Sequence, residues 1–303
     1  MIHQRMHFQQ LRYLLSLVLL LTSPYAYTQE KDPFFQVLLD YAMISDAAYK
    51  DILSIKKTLQ TQGYTLDEYN RLPGFGVSYL LASNDKTKEQ MIAVRGTSNI
   101  ENTVVDAGFI LIKDEKTGID LHQGFALSAR DIYSQIKPKI KADYTINITG
   151  HSLGGAVAVI LAMYLDKDDY TLGNIITFGQ PKVTNISGSK QFQDLPLYRV
   201  VTAKDMVPLV PPTDPMDLMN LSIFWHMGTE ILLLEGKKYS ELTGMKSMMR
   251  ALEFVDDIPS TDNISNHFMN FYLQRLKEKQ LDPVKVPYEI KFKLPDWLGS
   301  SEN

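Results

Sequence analysis

The sequence predicts an α/β protein in which helices flank a mostly parallel sheet. Strand-like runs alternate with helical runs along the chain, a pattern typical of this class. Two buried-type strands, over residues 174–178 and 197–202, each end in turn-forming residues. Residues 146–158 combine a β-branched strand, a glycine-flanked turn and a helix of small residues. Since ligands gather at the carboxyl ends of strands in such sheets, we expect the functional site at that edge.

The composition is that of one globular domain. The chain has 303 residues, of which 45% are hydrophobic and 22% are charged, so a large core is available. The net charge of −4 does not point to nucleic acid or an anionic membrane surface as a partner. Because the chain contains no cysteine, disulfides, thiolate metal sites and a cysteine nucleophile are excluded.

The N-terminus predicts a signal peptide. Two arginines precede an apolar run over residues 13–21, which is too short to span a bilayer as a stable helix. Ala26 is the predicted last residue before cleavage. The expected division is a signal peptide over residues 1–26 and a single α/β domain over residues 27–303, secreted or periplasmic. An uncleaved membrane anchor or a buried helix is the alternative.

The first half of the domain predicts three helices and a hairpin. Apolar residues recur at helical spacing over residues 33–51, 52–61 and 125–141. Pro138 is expected to end or kink the third helix. Residues 76–83 and 90–95 look like two strands around a charged turn.

The second half continues the alternation. A further strand is predicted over residues 229–234, followed by a methionine-rich and partly helical segment over residues 236–257. The last clear helix is predicted over residues 264–279. A proline-containing tail beyond it is expected to pack over the domain as an arm.

The glycine-flanked turn centres on Ser152. Such a sharp strand-to-helix turn forces its central residue towards φ > 0, and Gly150 and Gly154 leave room for it. The serine hydroxyl would then stand at the end of a strand, beside the N–H groups that open a helix. The plainer interpretation is a glycine-rich connection with an incidental serine.

A serine nucleophile needs a base and a carboxylate that orients the base. The chain order Ser, then Asp or Glu, then His selects acids that follow Ser152. Asp205 directly follows a clear strand and is preferred, whereas a solvated loop aspartate is the alternative interpretation. The competing acids are Asp194, Asp214 and Asp217.

Four histidines remain once the two in the predicted signal peptide are set aside. His151 adjoins the nucleophile, so its side chain is expected to point away from that of Ser152. His122 precedes the serine and is expected to be structural. Of the other two, His267 lies at a loop-to-helix start and is the preferred base, while His226 is the alternative.

Eight segments together resemble one known family. They are Ala93–Thr97, Asp106, His122–Phe125, Gly150–Ala156, Thr177–Pro181, Asp205–Pro208, His226–Glu230 and Asn266–Phe268. In this order they are similar to the fungal-type (class 3) lipases of the α/β-hydrolase superfamily. The resemblance implies an α/β-hydrolase fold with a nucleophile elbow at Ser152, the acid Asp205 and the base His267. It also implies an oxyanion hole at Thr97 and Leu153.

Two departures from the family pattern bear on function. The expected lid segment, residues 100–109, has Thr103 where the family often has a tryptophan, so strong activation at a lipid interface is not expected. Asn266 stands where the family often has an aspartate before the histidine.

The resulting hypothesis is a secreted serine carboxylic-ester hydrolase, a lipase acting on acylglycerols. The alternatives are a phospholipase A1 or short-chain carboxylesterase, and a non-catalytic lipid-binding module on a lipase scaffold. The expected partner is a lipid or ester substrate, at a lipid–water interface or free, and not nucleic acid. No cofactor and no metal is expected, because no metal-binding or nucleotide-binding motif occurs.

Overall fold

A nine-stranded sheet forms the centre of the part of the chain that the structure describes. The computed structural model describes residues 30–72, 76–97, 110–211, 223–252 and 265–289. In chain order the strands are β1 (Thr65–Leu72), β2 (Val77–Asn84), β3 (Glu89–Arg95), β4 (Leu111–Lys113), β5 (Asp120–His122), β6 (Thr145–His151), β7 (Leu172–Phe178), β8 (Thr184–Asn185), β9 (Leu197–Thr202), β10 (Phe224–Trp225), β11 (Thr229–Leu233), β12 (Lys238–Leu242) and β13 (Val284–Lys285).

The sheet has the order β1-β2-β3-β6-β7-β9-β11-β12-β13. The five central strands from β3 to β11 run parallel to one another, whereas β1, β2 and β12 pair antiparallel to their inner neighbours. A second, antiparallel sheet joins β10, β8, β5 and β4. The predicted class, α/β with a mostly parallel sheet, is therefore confirmed.

Helices cover both faces of the central sheet. They are α1 (Pro33–Ala47), α2 (Ile52–Thr61), α3 (Gln123–Ile136), α4 (Leu153–Lys167), α5 (Ile186–Gln191), α6 (Gly244–Leu252) and α7 (Met269–Lys277). The apolar residues of α3 and α4 share one core with one face of β2, β3 and β6. Those of α1, α2 and α7 share a second core with the opposite face. None of the helices that the structure describes is long and apolar enough to cross a membrane.

Local sequence signals explain where several helices begin and end. Asp32 caps α1 by accepting a hydrogen bond from the N–H of Phe35, and Pro33 occupies the first turn. Asp51 caps α2 in the same way through the N–H groups of Leu53 and Ser54. The predicted helix over residues 125–141 ends at Ile136, and Pro138 lies in the short 3₁₀ turn that follows.

Some elements differ from the sequence-based expectation. Strand β1 was not predicted, because its residues are mostly polar and alternate between exposed and half-buried positions. The segment predicted as partly helical over residues 236–257 begins with strand β12 before α6 starts. The last helix begins at Met269, five residues later than predicted.

Several predictions concern residues that the structure does not describe. The signal peptide over residues 1–26 and the lid segment over residues 100–109, with Asp106, lie outside the described residues. So do most of the predicted tail arm and the end of the methionine-rich segment.

A buried ion network joins β9, β11 and α6. Glu230 is fully buried and pairs with Arg199 at 3.3 Å and with Arg250. Ser247 donates a hydrogen bond to the same carboxylate. Burial would raise the pKa of Glu230, but the two arginine charges outweigh it and hold that pKa below its usual value. The carboxylate is therefore ionised, and it supplies the negative charge that the two buried guanidinium groups pair with.

We expect Glu230→Gln to lower the free energy of unfolding by about 3–5 kcal/mol at neutral pH, because it leaves two arginines buried without a counter-charge. Urea unfolding followed by circular dichroism measures the change. Since the folded-state pKa of Glu230 is lowered, its stabilising contribution is present at neutral pH and is lost as the pH falls through that lowered pKa.

The matched control is Asp143→Asn, which removes the exposed ion pair between Asp143 and Lys88. This variant is expected to unfold at the same urea concentration as the wild type. Equal effects of the two substitutions would contradict the role assigned to the buried network.

Candidate active site

Ser152 occupies a strained turn between β6 and α4. Its backbone has φ 60° and ψ −134°, in the region that side chains other than glycine rarely adopt. The N–H of Ser152 donates to the carbonyl of Phe178, at the end of the neighbouring strand β7, over 2.9 Å. The turn predicted from the glycine pattern is therefore present, and it lies at the carboxyl edge of the parallel strands.

The glycines of this turn are required by backbone-to-backbone contact. A Cβ on Gly150 would lie 2.5 Å from the carbonyl oxygen of Gly154. A Cβ on Gly154 would overlap the carbonyl of Val94 and the N–H of Gly96. Strand β6, helix α4 and the end of β3 thus meet with no side chain between them, which fixes the position of Ser152.

The two predicted oxyanion donors lie on neighbouring segments. Parallel pairing of β3 with β6 sets Arg95 opposite His151, so Thr97 follows β3 at the level where Leu153 follows β6. A Cβ on Gly96 would lie only 3.3 Å from the backbone nitrogen of Leu153. The structure therefore brings the segment of Thr97 beside the first N–H of α4.

Asp205 and His267 form a buried hydrogen-bonded pair. The Nδ1 atom of His267 lies 2.8 Å from Oδ2 of Asp205, and each side chain is about 1% exposed. The other carboxylate oxygen, Oδ1, accepts from the N–H of Val207 at 2.9 Å. Asp205 follows β9 and His267 precedes α7, so residues 62 positions apart meet at the same sheet edge as Ser152.

The imidazole of His267 is oriented for proton transfer. Because the carboxylate of Asp205 accepts, Nδ1 carries the hydrogen and the lone pair of the neutral ring is on Nε2. Nε2 is buried and makes no hydrogen bond within the described part of the chain, so it is not bonded to the Ser152 hydroxyl. Such bonds are often long in proteins without substrate and shorten when substrate binds.

Gly179 makes room for this pair. It follows β7 with φ 56°, and a Cβ there would lie 2.7 Å from Oδ2 of Asp205 and 2.8 Å from Cε1 of His267. Sequence reasoning noted Gly179 only as a member of a family segment. Its physical role is evident only once β7 is placed beneath the pair.

Tyr272 is a site residue that the sequence analysis missed. Its hydroxyl donates to Oδ2 of Asp205, the same oxygen that accepts from His267. Tyr272 is fully buried, and burial raises its pKa well above the usual value, so the hydroxyl keeps its proton. The only sequence signal was its position on the first turns of the helix that follows His267.

The competing acids and the other histidines do not form part of this pair. Asp194 is exposed, and Asp214 and Asp217 lie outside the described residues. His122 stacks on Phe125 with ring centroids 3.9 Å apart, and burial lowers its pKa to about 4. His226 is buried and donates from Nε2 to the carbonyl of Pro208 at 2.6 Å.

The described residues contain no metal centre, and one surface cavity lies away from this arrangement. No group of three or more His, Asp or Glu side chains among them is placed to hold a metal ion. A surface cavity of about 590 Å³ lies near the starts of β9 and β11, at the opposite sheet edge, and none of the predicted catalytic or oxyanion residues lines it. A hydroxyl at a strand end and a histidine oriented by a carboxylate are the kinds of group that nucleophilic acyl transfer requires.

The middle of the chain is similar to known lipases. A match to the family described as lipase (class 3) covers residues 91–214, a span that includes Thr97, Ser152 and Asp205. Secreted mono- and diacylglycerol lipase 1 of Fusarium solani is 33% identical over 150 residues, which cover 45% of this chain and 44% of that protein. A lipase of Rhizomucor miehei is 28% identical over 155 residues, which cover 46% of this chain and 42% of that protein. The chain thus spans less than half the length of these relatives.

Solved structures share the architecture. A lipase from Rhizopus microsporus var. chinensis superposes with a TM-score of 0.58 at 22% identity, covering 69% of this chain and 81% of that one. The Lip2 lipase of Yarrowia lipolytica superposes with a TM-score of 0.56 at 24% identity, covering 68% of this chain and 81% of that one. The fold is therefore that of an α/β-hydrolase. Within it, residues 91–214, which carry the elbow, match the class 3 lipase family that the sequence motifs also resemble.

We expect Tyr272→Phe to lower kcat for hydrolysis of p-nitrophenyl butyrate about tenfold, the equivalent of one hydrogen bond to a charged group. The substitution removes one of the three donors on Asp205 and leaves the aromatic ring in place. Steady-state kinetics on protein of verified folding measures the effect.

The control is Tyr164→Phe, since the hydroxyl of Tyr164 also donates to a buried carboxylate, that of Asp114, at 2.7 Å. That carboxylate takes no part in the candidate site. If Tyr164→Phe and Tyr272→Phe had the same kcat, the support given to Asp205 by Tyr272 would be refuted.

Proposed function

We propose that this protein is a serine carboxylic-ester hydrolase that acts on acylglycerols. Ser152 is the nucleophile, His267 the general base and Asp205 the acid that orients it. The observation that carries the proposal is the buried pair of His267 with Asp205 at the sheet edge where the strained Ser152 turn lies. Thr97 and Leu153 are the proposed oxyanion donors.

In the first half of the reaction the hydroxyl of Ser152 attacks the ester carbonyl while its proton passes to Nε2 of His267. A bond forms between Oγ and the carbonyl carbon, and the negative charge moves to the carbonyl oxygen. The N–H groups of Leu153 and Thr97 stabilise that oxyanion. His267 then gives the proton to the leaving alkoxide oxygen as the carbon–oxygen bond breaks, which leaves the acyl group on Ser152.

In the second half, water replaces the alcohol. His267 removes a proton from the water, whose oxygen attacks the acyl carbonyl, and then returns the proton to Oγ of Ser152 as the acid leaves. In both halves of the reaction His267 is transiently a positively charged imidazolium. The Asp205 carboxylate stabilises it at 2.8 Å, and the donors Tyr272 and Val207 hold that carboxylate in place.

The substrate class rests on the relatives. Secreted mono- and diacylglycerol lipase 1 of Fusarium solani is the relative with the highest sequence identity over its match among those compared above. The activity in its name supports mono- and diacylglycerols as substrates of this chain. Phospholipase A1 and short-chain esterase activity use the same machinery and differ in what reaches Ser152.

We expect Ser152→Ala to abolish hydrolysis of p-nitrophenyl butyrate and tributyrin while the protein remains folded, because the acyl-enzyme forms on the hydroxyl that this substitution removes. Fluorophosphonate labelling of wild type and variant, with mass spectrometry of the labelled peptide, identifies the nucleophile. The control is Ser128→Ala, since Ser128 is buried in α3 and donates only to the carbonyl of Gly124.

Activity retained in Ser152→Ala would refute the nucleophile. Wild-type rates on tributyrin, triolein and phosphatidylcholine test the substrate class in the same experiment. We expect the glycerides to be cleaved faster than the phospholipid. A preference for phosphatidylcholine would establish the phospholipase, and a protein that neither hydrolyses esters nor labels would be a lipid-binding module.

We also propose export from the cytoplasm through the basic and apolar N-terminal segment. The support is the pattern of residues 1–26 and the secreted Fusarium relative. The mature protein is expected to begin near Tyr27. Edman sequencing of protein recovered from the periplasm or medium measures this, and a mature protein beginning at Met1 would contradict it.

A further inference from the structure

His151, the residue before the nucleophile, lies between the base and the oxyanion segment. Its Nε2 atom is 2.7 Å from the backbone carbonyl oxygen of His267. Its Nδ1 atom is 2.9 Å from the hydroxyl of Tyr49, and the guanidinium of Arg95 lies 5.1 Å from the centre of the Tyr49 ring. Two hydrogen bonds and this ring contact therefore connect Arg95, two residues before the proposed oxyanion donor Thr97, with the backbone of the proposed base.

The direction of each bond follows from simple chemistry. A carbonyl only accepts, so Nε2 of His151 carries a hydrogen. Burial, and then the neighbouring His267, hold the pKa of His151 well below its usual range, so the ring is neutral and Nδ1 accepts. Tyr49 must then donate its hydroxyl hydrogen to Nδ1. Both ring nitrogens of His151 are therefore hydrogen-bonded.

The loop that carries His267 depends on such bonds. Its described part, residues 265–268, precedes α7. Backbone N–H groups reach the carbonyls of Ser265 and Phe268, and side chains reach the two carbonyls between them. Thr202, at the end of β9, donates from its hydroxyl to the carbonyl of Asn266 at 2.8 Å. His151, at the end of β6, donates to the next carbonyl, that of His267. Two side chains from the sheet edge thus hold consecutive peptide groups of the loop.

We infer that Tyr49 and His151 are positioning residues that hold the base and the oxyanion segment at a fixed separation across Ser152. This inference rests on the proposed function and deepens it. Acyl transfer needs Nε2 of His267 and the oxyanion donors to meet the same substrate carbonyl from two sides. A bridge from Arg95 through Tyr49 and His151 to His267 fixes that geometry before substrate arrives.

A neutral His151 does not oppose the positive charge that the reaction creates on the His267 ring. The rings of His151 and His267 have centroids 4.5 Å apart, so a positive charge on His151 would oppose the imidazolium that forms on His267. The donated hydrogen from Tyr49 occupies Nδ1 without adding charge. The Arg95 guanidinium lies 5.1 Å over the Tyr49 ring, on the far end of the bridge from His267.

The test compares Tyr49→Phe with Tyr79→Phe. Both substitutions remove one hydroxyl from a tyrosine, but the Tyr79 hydroxyl donates to Gln135 and takes no part in the bridge. We expect Tyr49→Phe to lower kcat per fluorophosphonate-titrated site about tenfold with KM nearly unchanged, as a loss of alignment in the transition state requires. The affinity for a trifluoromethyl ketone, whose adduct carries the oxyanion, should fall in parallel.

A second pair of variants separates positioning from packing. His151→Gln keeps an amide N–H that can reach the carbonyl of His267, whereas His151→Leu removes both bonds. The glutamine variant is expected to retain more of kcat than the leucine variant at equal thermal midpoint.

Two outcomes would overturn the inference. One is a Tyr49→Phe protein with the kcat and inhibitor affinity of Tyr79→Phe. The other is activity losses that follow the thermal midpoint and vanish when kcat is expressed per titrated site. Wild-type protein that neither labels nor hydrolyses esters would instead overturn the proposed function, and the bridge with it.

Discussion

The strained backbone of Ser152 is the constraint on which the site depends. A residue held at φ 60° costs on the order of 1–3 kcal/mol, so its surroundings must leave it no alternative. They do so through direct backbone contact: Gly150 touches Gly154, and Gly154 touches the end of β3. The bond from Ser152 N–H to Phe178 then ties the turn to β7. Because these contacts involve three of the central parallel strands, β3, β6 and β7, together with α4, the position of the proposed nucleophile depends on the packing of the sheet centre.

The proposed base is held differently, by side chains that reach it from separate segments. Asp205 fixes its ring, Thr202 and His151 fix the backbone beside it, and Gly179 gives the pair its space. A loop residue needs this support, because a loop lacks the regular backbone hydrogen bonds of a helix or strand. The proposed nucleophile is thus positioned by main-chain contacts, and the proposed base by a set of buried hydrogen bonds.

The sequence predicted the parts of the site that follow from local pattern and chain order. The turn at Ser152 could be predicted because the strand, the glycines and the small-residue helix are contiguous in the sequence. Asp205 and His267 could be predicted because Asp205 follows a strand and His267 precedes a helix. Tyr272, Gly179 and the Tyr49–His151 bridge were not readable. Tyr49 and His151 are 102 residues apart, and nothing in either neighbourhood signals that their side chains meet. Strand β1 was missed because its eight residues carry little apolar periodicity, and pairing with β2 determines its structure.

The distribution of buried charge explains why the residue beside the nucleophile can be a histidine. Around His267 the structure places one carboxylate and two neutral groups, the Tyr272 hydroxyl and the His151 ring. The buried arginines pair with Glu230, on β11. An imidazolium forming on His267 therefore meets Asp205 as its nearest described ionic partner, and the field favours its formation. His151 is compatible with this field because burial, a carbonyl and a tyrosine hydroxyl keep it neutral, so it can position the base without opposing its charge.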